Sequence, residues 1–168
     1  MLFPTPPLSI VDVPADAKHK AYNRLGFRWI VLHHTGGTDS RKWLSTTSSP
    51  PVSCHRLIAR SGAIYKIVPD FEVAFTQGPA DIGPLPENGQ NVNQWALSIE
   101  IENLGNGQDY PIEQLRAIAA QIVEWQAAYG WLAIVHHQWI QTNKIDPYDF
   151  PRWQLDELIR DYLRQVLP

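Results

Sequence analysis

Cysteine is nearly absent from this chain of 168 residues. Cys54 stands alone, so no internal disulfide can form, and a small buried hydrophobe is its expected role. Charge is sparse as well: charged residues make up 18% of the chain and the formal net charge is −3. With no long basic run, a nucleic-acid surface is not expected. No stretch approaches the roughly 20 apolar residues of a membrane span. The first residues, MLFPTPPLSIVDVPADAK, carry neither a basic start nor an uninterrupted apolar core, so they do not read as a secretory signal, and cytoplasmic synthesis is the expectation. The sequence does not give the oligomeric state, and a monomer is the expectation.

Proline and tryptophan are plentiful instead, at 14 and 7 residues. So many tryptophans suit either a platform for a large polar ligand or a loop-rich core. The hydrophobic fraction of 44% fits a single globular domain, which at this length buries about two-thirds of its unfolded surface.

Residues 1–26 carry prolines and little periodicity and read as an arm packed along a domain of residues 27–168. The run 27–32 (FRWIVL) has the β-branched and aromatic content of a buried strand, ended by His33, His34, Thr35, Gly36 and Gly37. Residues 40–47 suit a short helix with Trp43 and Leu44 facing inward. Residues 52–59 and 63–68 flank Arg60-Ser61-Gly62 as a hairpin would. Residues 79–95 form a Pro/Gly/Asn-rich loop, long enough to line or cover a site. Residues 96–102 (ALSIEIE) alternate as a half-buried strand does. A helix opens at Pro111, with Ile112, Leu115, Ile118, Ala119, Ile122 and Val123 on its apolar face, and ends at Gly130. Residues 132–135 make another strand. A last helix starts at Pro151, with Leu155, Leu158, Ile159, Tyr162, Leu163 and Val166 on one face. This order predicts an α/β domain: a mixed central β-sheet with helices packed on it.

The chemistry gathers at two histidine doublets. Both sit where a strand ends, and alternation sends the members of each pair to opposite faces. Each doublet, His33-His34 and His136-His137, therefore offers at most one ligand to a given ion. Catalytic zinc takes three protein ligands and keeps a position open. Asp146, extended before Pro147, is the natural third, and Lys144 projects to the same side. Glu100 and Glu102 share one strand face, which is either a solvated surface or a general base aimed into a cleft.

Five blocks, WIVLHHTGG, VSCHRLIARSGAIYKIV, AFTQG, SIEIENLG and VHHQWIQTNKIDP followed by FPRW, resemble in order those of the type 2 N-acetylmuramoyl-L-alanine amidases. These zinc enzymes share a fold with peptidoglycan recognition proteins. The resemblance implies Zn2+ held by His33, His137 and Asp146, with Glu102 as catalytic base and Lys144 as oxyanion stabiliser. Glu100 falls where the family usually has glycine. Aligning forward from Ile134 selects His137; aligning backward from Asp146 without a gap selects His136, and the first is preferred. Where the family often reads A-W-H-A-G, this chain has Ala74-Phe75-Thr76-Gln77-Gly78. His55 matches a histidine of the V-S-A-H block, with groove-lining and structural roles both open.

The implied activity is hydrolysis of the amide between N-acetylmuramic acid and L-alanine, on peptidoglycan or muropeptides, as in a phage lysin or a bacterial wall enzyme. The alternative is a non-catalytic peptidoglycan-binding module.

Overall fold

The structure, a computed structural model, describes residues 9–81 and 89–166. The strands are β1 (Ile10–Asp12), β2 (Lys20–Ala21), β3 (Trp29–His34), β4 (Arg56–Ile58), β5 (Ile64–Lys66), β6 (Val73–Ala74), β7 (Ala96–Ile101) and β8 (Ala133–His136). The helices are α1 (Ile112–Tyr129), the single turn α2 (His137–Ile140) and α3 (Arg152–Val166).

Six strands form a mixed sheet in the order β1-β5-β4-β7-β3-β8, and β2 pairs with β6 in a small second sheet. Among the described residues only β4 and β5 are antiparallel within the large sheet, as the two arms of the expected hairpin. Gly62 makes their turn: its φ is +84°, and a Cβ there would meet the Glu113 carbonyl oxygen at 2.8 Å. Residues 9–26 are woven into this framework. β1 adds an edge strand parallel to β5, and β2 pairs with Val73 and Ala74.

The main core lies between the sheet and the two long helices. Ile30, Leu32, Leu97, Ile99 and Ile101 meet Leu115, Ile118 and Ile122 of α1 and Leu155, Ile159 and Tyr162 of α3. Each buried side chain of this size contributes about 1.5–3 kcal/mol. Gly130, at φ +80°, ends α1. Ile112, expected on the apolar face, is exposed, although Gln114 and Leu115 of the same turn are buried.

Two other expectations differ. β7 is buried on both faces rather than half-buried. It runs between β3 and β4, with α1 and α3 over Leu97, Ile99 and Ile101 and a second packed layer over Ala96 and Ser98. Trp43 points outward at 48% exposure while Leu44 is fully buried. The Trp43–Thr47 turn buries Leu44 and Ser45 and leaves Trp43 on its outer side. Within the 79–95 loop, residues 82–88 lie outside the described residues. Its flanks form a bridge between Pro79 and Asn91 and a 3-10 turn at Val92–Gln94.

Candidate active site

Parallel pairing aligns the C-terminal ends of β3, β7 and β8, and register then decides which polar side chains meet. β3 pairs His33 with Glu100 on one side and Leu32 with His136 on the other. Cross-strand partners share a face, so His33 and Glu100 point together away from α1, whereas His136 points with Leu32 toward the helices.

His137 opens α2, and this turn swings its ring back toward His33. His33 Nδ1 lies 3.0 Å from His137 Nδ1 and 3.1 Å from Asp146 Oδ2, and His137 Nδ1 lies 2.9 Å from the same Asp146 oxygen. Both histidines are buried and the aspartate half-buried. His136 goes elsewhere: its ring stacks on Trp139 at 3.9 Å between centroids and meets the edge-on ring of Phe150.

The triangle fits a metal. Its sides of 2.9–3.1 Å approach the roughly 3.3 Å edge of a tetrahedron drawn with zinc–ligand bonds of about 2.0–2.1 Å. Gln141 supplies a chemical reason as well. Its amide nitrogen donates to the carbonyls of Gln77 (2.6 Å) and Pro79, so its oxygen is the atom facing His137 Nε2, at 2.8 Å. An oxygen beside Nε2 can only accept there, so Nδ1 is the nitrogen left toward the Asp146 carboxylate, and those two acceptors meet at 2.9 Å without repulsion only with a cation, proton or metal ion, between them.

A cleft of about 330 Å³ opens over the triangle, lined among others by Trp43, Thr76, Glu100, Lys144 and His34. Glu100 is 7% exposed, and its Oε2 has no hydrogen-bond partner. Burial, reinforced by the Asp146 charge and partly offset by Lys144, pushes its carboxyl up to about 8. Lys144 itself is exposed, with its side chain on the rim.

The structure does not bring Glu102 to this cleft. The sheet ends at Ile101, and the Glu102 carboxylate accepts hydrogen bonds from the backbone N–H of Asp39 (2.6 Å) and Arg60 (3.4 Å) instead. Its place as the cleft carboxylate falls to Glu100. Glu100 and Glu102 share a parity, but only the former pairs with His33, a register that period two does not reveal. His55 is also away from the cleft, buried between Ser98, Arg24 and Glu72. The Ser98 N–H donates to its Nδ1 at 3.0 Å. Burial and the neighbouring Arg24 charge hold its pKa down at about 3, so it is a neutral structural histidine.

His34 stands at the cleft mouth, where its Nδ1 accepts from the Tyr148 N–H at 3.1 Å. Gly105 backs it at φ +68°, where a Cβ would collide with the imidazole.

A family model for N-acetylmuramoyl-L-alanine amidases matches residues 23–149, through every strand and turn that builds this site. The chain belongs to that family. No curated protein sequence matches it. Among solved structures it is similar to AmpD, at 21% identity and a TM-score of 0.77 over 88% of this chain and 93% of that one. The N-acetylmuramoyl-L-alanine amidase LysC from Clostridium intestinale URNW matches at 21% identity and a TM-score of 0.71, over 90% of this chain and 97% of LysC. The amidase AmiD from E. coli, solved with the substrate anhydro-N-acetylmuramic acid-L-Ala-D-gamma-Glu-L-Lys, matches at 24% identity and a TM-score of 0.67. That match covers 79% of this chain and 57% of AmiD. The fold is thus that of these amidases: one domain with helices on a mixed sheet.

Proposed function

We propose that this chain is a zinc-dependent amidase that hydrolyses the bond between the lactyl group of N-acetylmuramic acid and L-alanine, in peptidoglycan or its soluble fragments. The observation that carries this reading is the convergence of His33 Nδ1, His137 Nδ1 and Asp146 Oδ2 beneath a cleft whose buried carboxyl is Glu100. The substrate class follows from family membership, and a muropeptide is what AmiD was solved with.

His33, His137 and Asp146 would hold the ion. Zinc so bound supplies Lewis acidity and lowers the pKa of water toward about 7. The remaining work falls to the chain. Glu100, buried yet lining the cleft, takes a proton from the attacking water and returns it to the leaving nitrogen. Burial and the Asp146 charge raise its pKa to about 8, which suits a group that takes and returns one proton near neutral pH. Lys144, on the same rim, places a positive charge where the amide oxygen becomes anionic. Trp43 and Thr76 are walls against which glycan or stem peptide rests.

The test is release of free N-terminal alanine from purified cell walls and from soluble muropeptides, with and without a chelator. Chelator-sensitive release that zinc restores is the expected result. Wall binding without release, from protein that has taken up zinc, would instead make the chain a recognition module.

A further inference from the structure

We propose that Gln77 and Gln141 form one coupled positioning device that holds His33 and His137 with their protons on Nε2, so that both Nδ1 lone pairs face the ligand triangle. This deepens the zinc reading above and rests on it.

A neutral imidazole offers a lone pair on one nitrogen only, and the partner of the other nitrogen selects which. The tautomer of each buried histidine is therefore set outside the triangle. For His137 the selector is Gln141, which lies one helical turn on, with its backbone N–H bonded to the His137 carbonyl at 3.0 Å. Two backbone carbonyls, of Gln77 and Pro79, take its amide hydrogens and leave only its oxygen for the imidazole. This amide cannot flip without setting its oxygen against two carbonyls.

For His33 the selector is Gln77, whose Oε1 lies 3.2 Å from Nε2. Gln77 is itself held. Its backbone N–H donates to Asn93 Oδ1 at 3.0 Å, and its carbonyl receives the Gln141 amide. One run of bonds thus passes from His137 through Gln141 to Gln77 and on to His33. It joins two ligands that lie 104 positions apart in sequence. Both selectors are uncharged, so they orient the rings without adding to the negative charge of Asp146.

The test uses the full chain, labelled with nitrogen-15, and the variants Gln77→Leu, Gln77→Glu and Gln141→Leu. Long-range proton–nitrogen correlation on metal-free protein reads the tautomers, and competition with a chromophoric chelator reads zinc affinity. The expected result is Nε2–H on both histidines in the parent chain. Each leucine variant should give mixed tautomers at its own histidine and bind zinc about 10–100-fold more weakly. Gln77→Glu, which keeps an acceptor oxygen, should restore the His33 tautomer and bring affinity back to within about threefold of the parent.

A bare Nε2 on either histidine of the parent chain, with the proton on Nδ1 alone, would overturn the proposal. So would folded leucine variants that keep both the tautomer and the affinity. Should Gln141→Leu fail to fold, the two Gln77 variants decide by themselves. A parent chain that shows both Nε2–H tautomers yet takes up no zinc would sink the zinc reading and leave the tautomer assignment standing.

Discussion

His33 and Glu100 are cross-strand partners in the parallel pairing of β3 with β7, and that single register relation puts a buried carboxyl beside the ligand triangle. Glu102, two residues on, has the same parity but lies past the last paired residue, with its oxygens bonded to the backbone of Asp39 and Arg60. A general base must reach the proton it moves, and Glu100, which lines the cleft, is the carboxyl to which the proposed mechanism gives that role.

Exchange of each carboxylate for its amide separates the two. Glu100→Gln is expected to lower the rate of alanine release by about 100- to 10,000-fold while zinc affinity holds. Glu102→Gln should leave the rate nearly intact and act on the stability of the loops around Asp39 and Arg60. Measured side by side, the opposite ranking would return the base to Glu102.

The histidine doublet at the end of β8 makes a second pair of variants. His137→Ala should abolish zinc binding, since it removes one corner of the triangle. His136→Ala should retain the metal but lose about 1–3 kcal/mol of stability, because it empties the space between Trp139 and Phe150. Zinc titration and urea unfolding on the same samples decide; loss of zinc only in the His136 variant would move the site by one residue.

Metal removal should register as stability. Zinc at about 1,000 times its dissociation constant adds about 4 kcal/mol to a protein that binds it only when folded. For a domain of this length that is a rise of roughly 8–16 °C in melting temperature. Chelator should reverse the gain, and His137→Ala should show none. An unchanged melting curve in the parent chain would count against a built metal site.

Acid sensitivity follows from His55, whose pKa is lowered from 6.5 to about 3 by burial first and the Arg24 charge second. A base with a depressed folded pKa contributes stability that is present above its unfolded value and lost as pH falls toward the folded one. Denaturant midpoints should therefore fall between about pH 6.5 and pH 3. His55→Gln should flatten that slope, although His136, held at about 4, adds its own share over part of the window. Equal slopes in parent and variant would show that His55 is not kept neutral by the fold.

Gly105 gives a backbone prediction. Alanine there meets both a positive φ and the His34 ring, so Gly105→Ala should cost on the order of 1–3 kcal/mol. It should also disturb the Tyr148 contact at the cleft mouth. Thermal unfolding checks the first effect and Tyr148 amide exchange the second.

Much of this molecule is legible in its local sequence. Apolar runs and their punctuation placed β3, the β4–β5 hairpin, α1 and α3, because period and breaker residues are local properties of the chain. Strand ends with imidazole, and a loop carrying Lys144 and Asp146 before proline, marked the right neighbourhoods for the same reason. Long-range packing chose among residues that are locally equivalent. Period two gives Glu100 and Glu102 one face but not one depth, and depth depends on where β7 stops pairing with β3. Trp43 and Leu44 were both apolar enough to be buried, and only the surrounding packing chose Leu44. Gln77 and Gln141 carried no local signal at all. Their amides acquire meaning only when strands and turns distant in sequence bring two imidazoles together, and that geometry belongs to the fold rather than to any stretch of the chain.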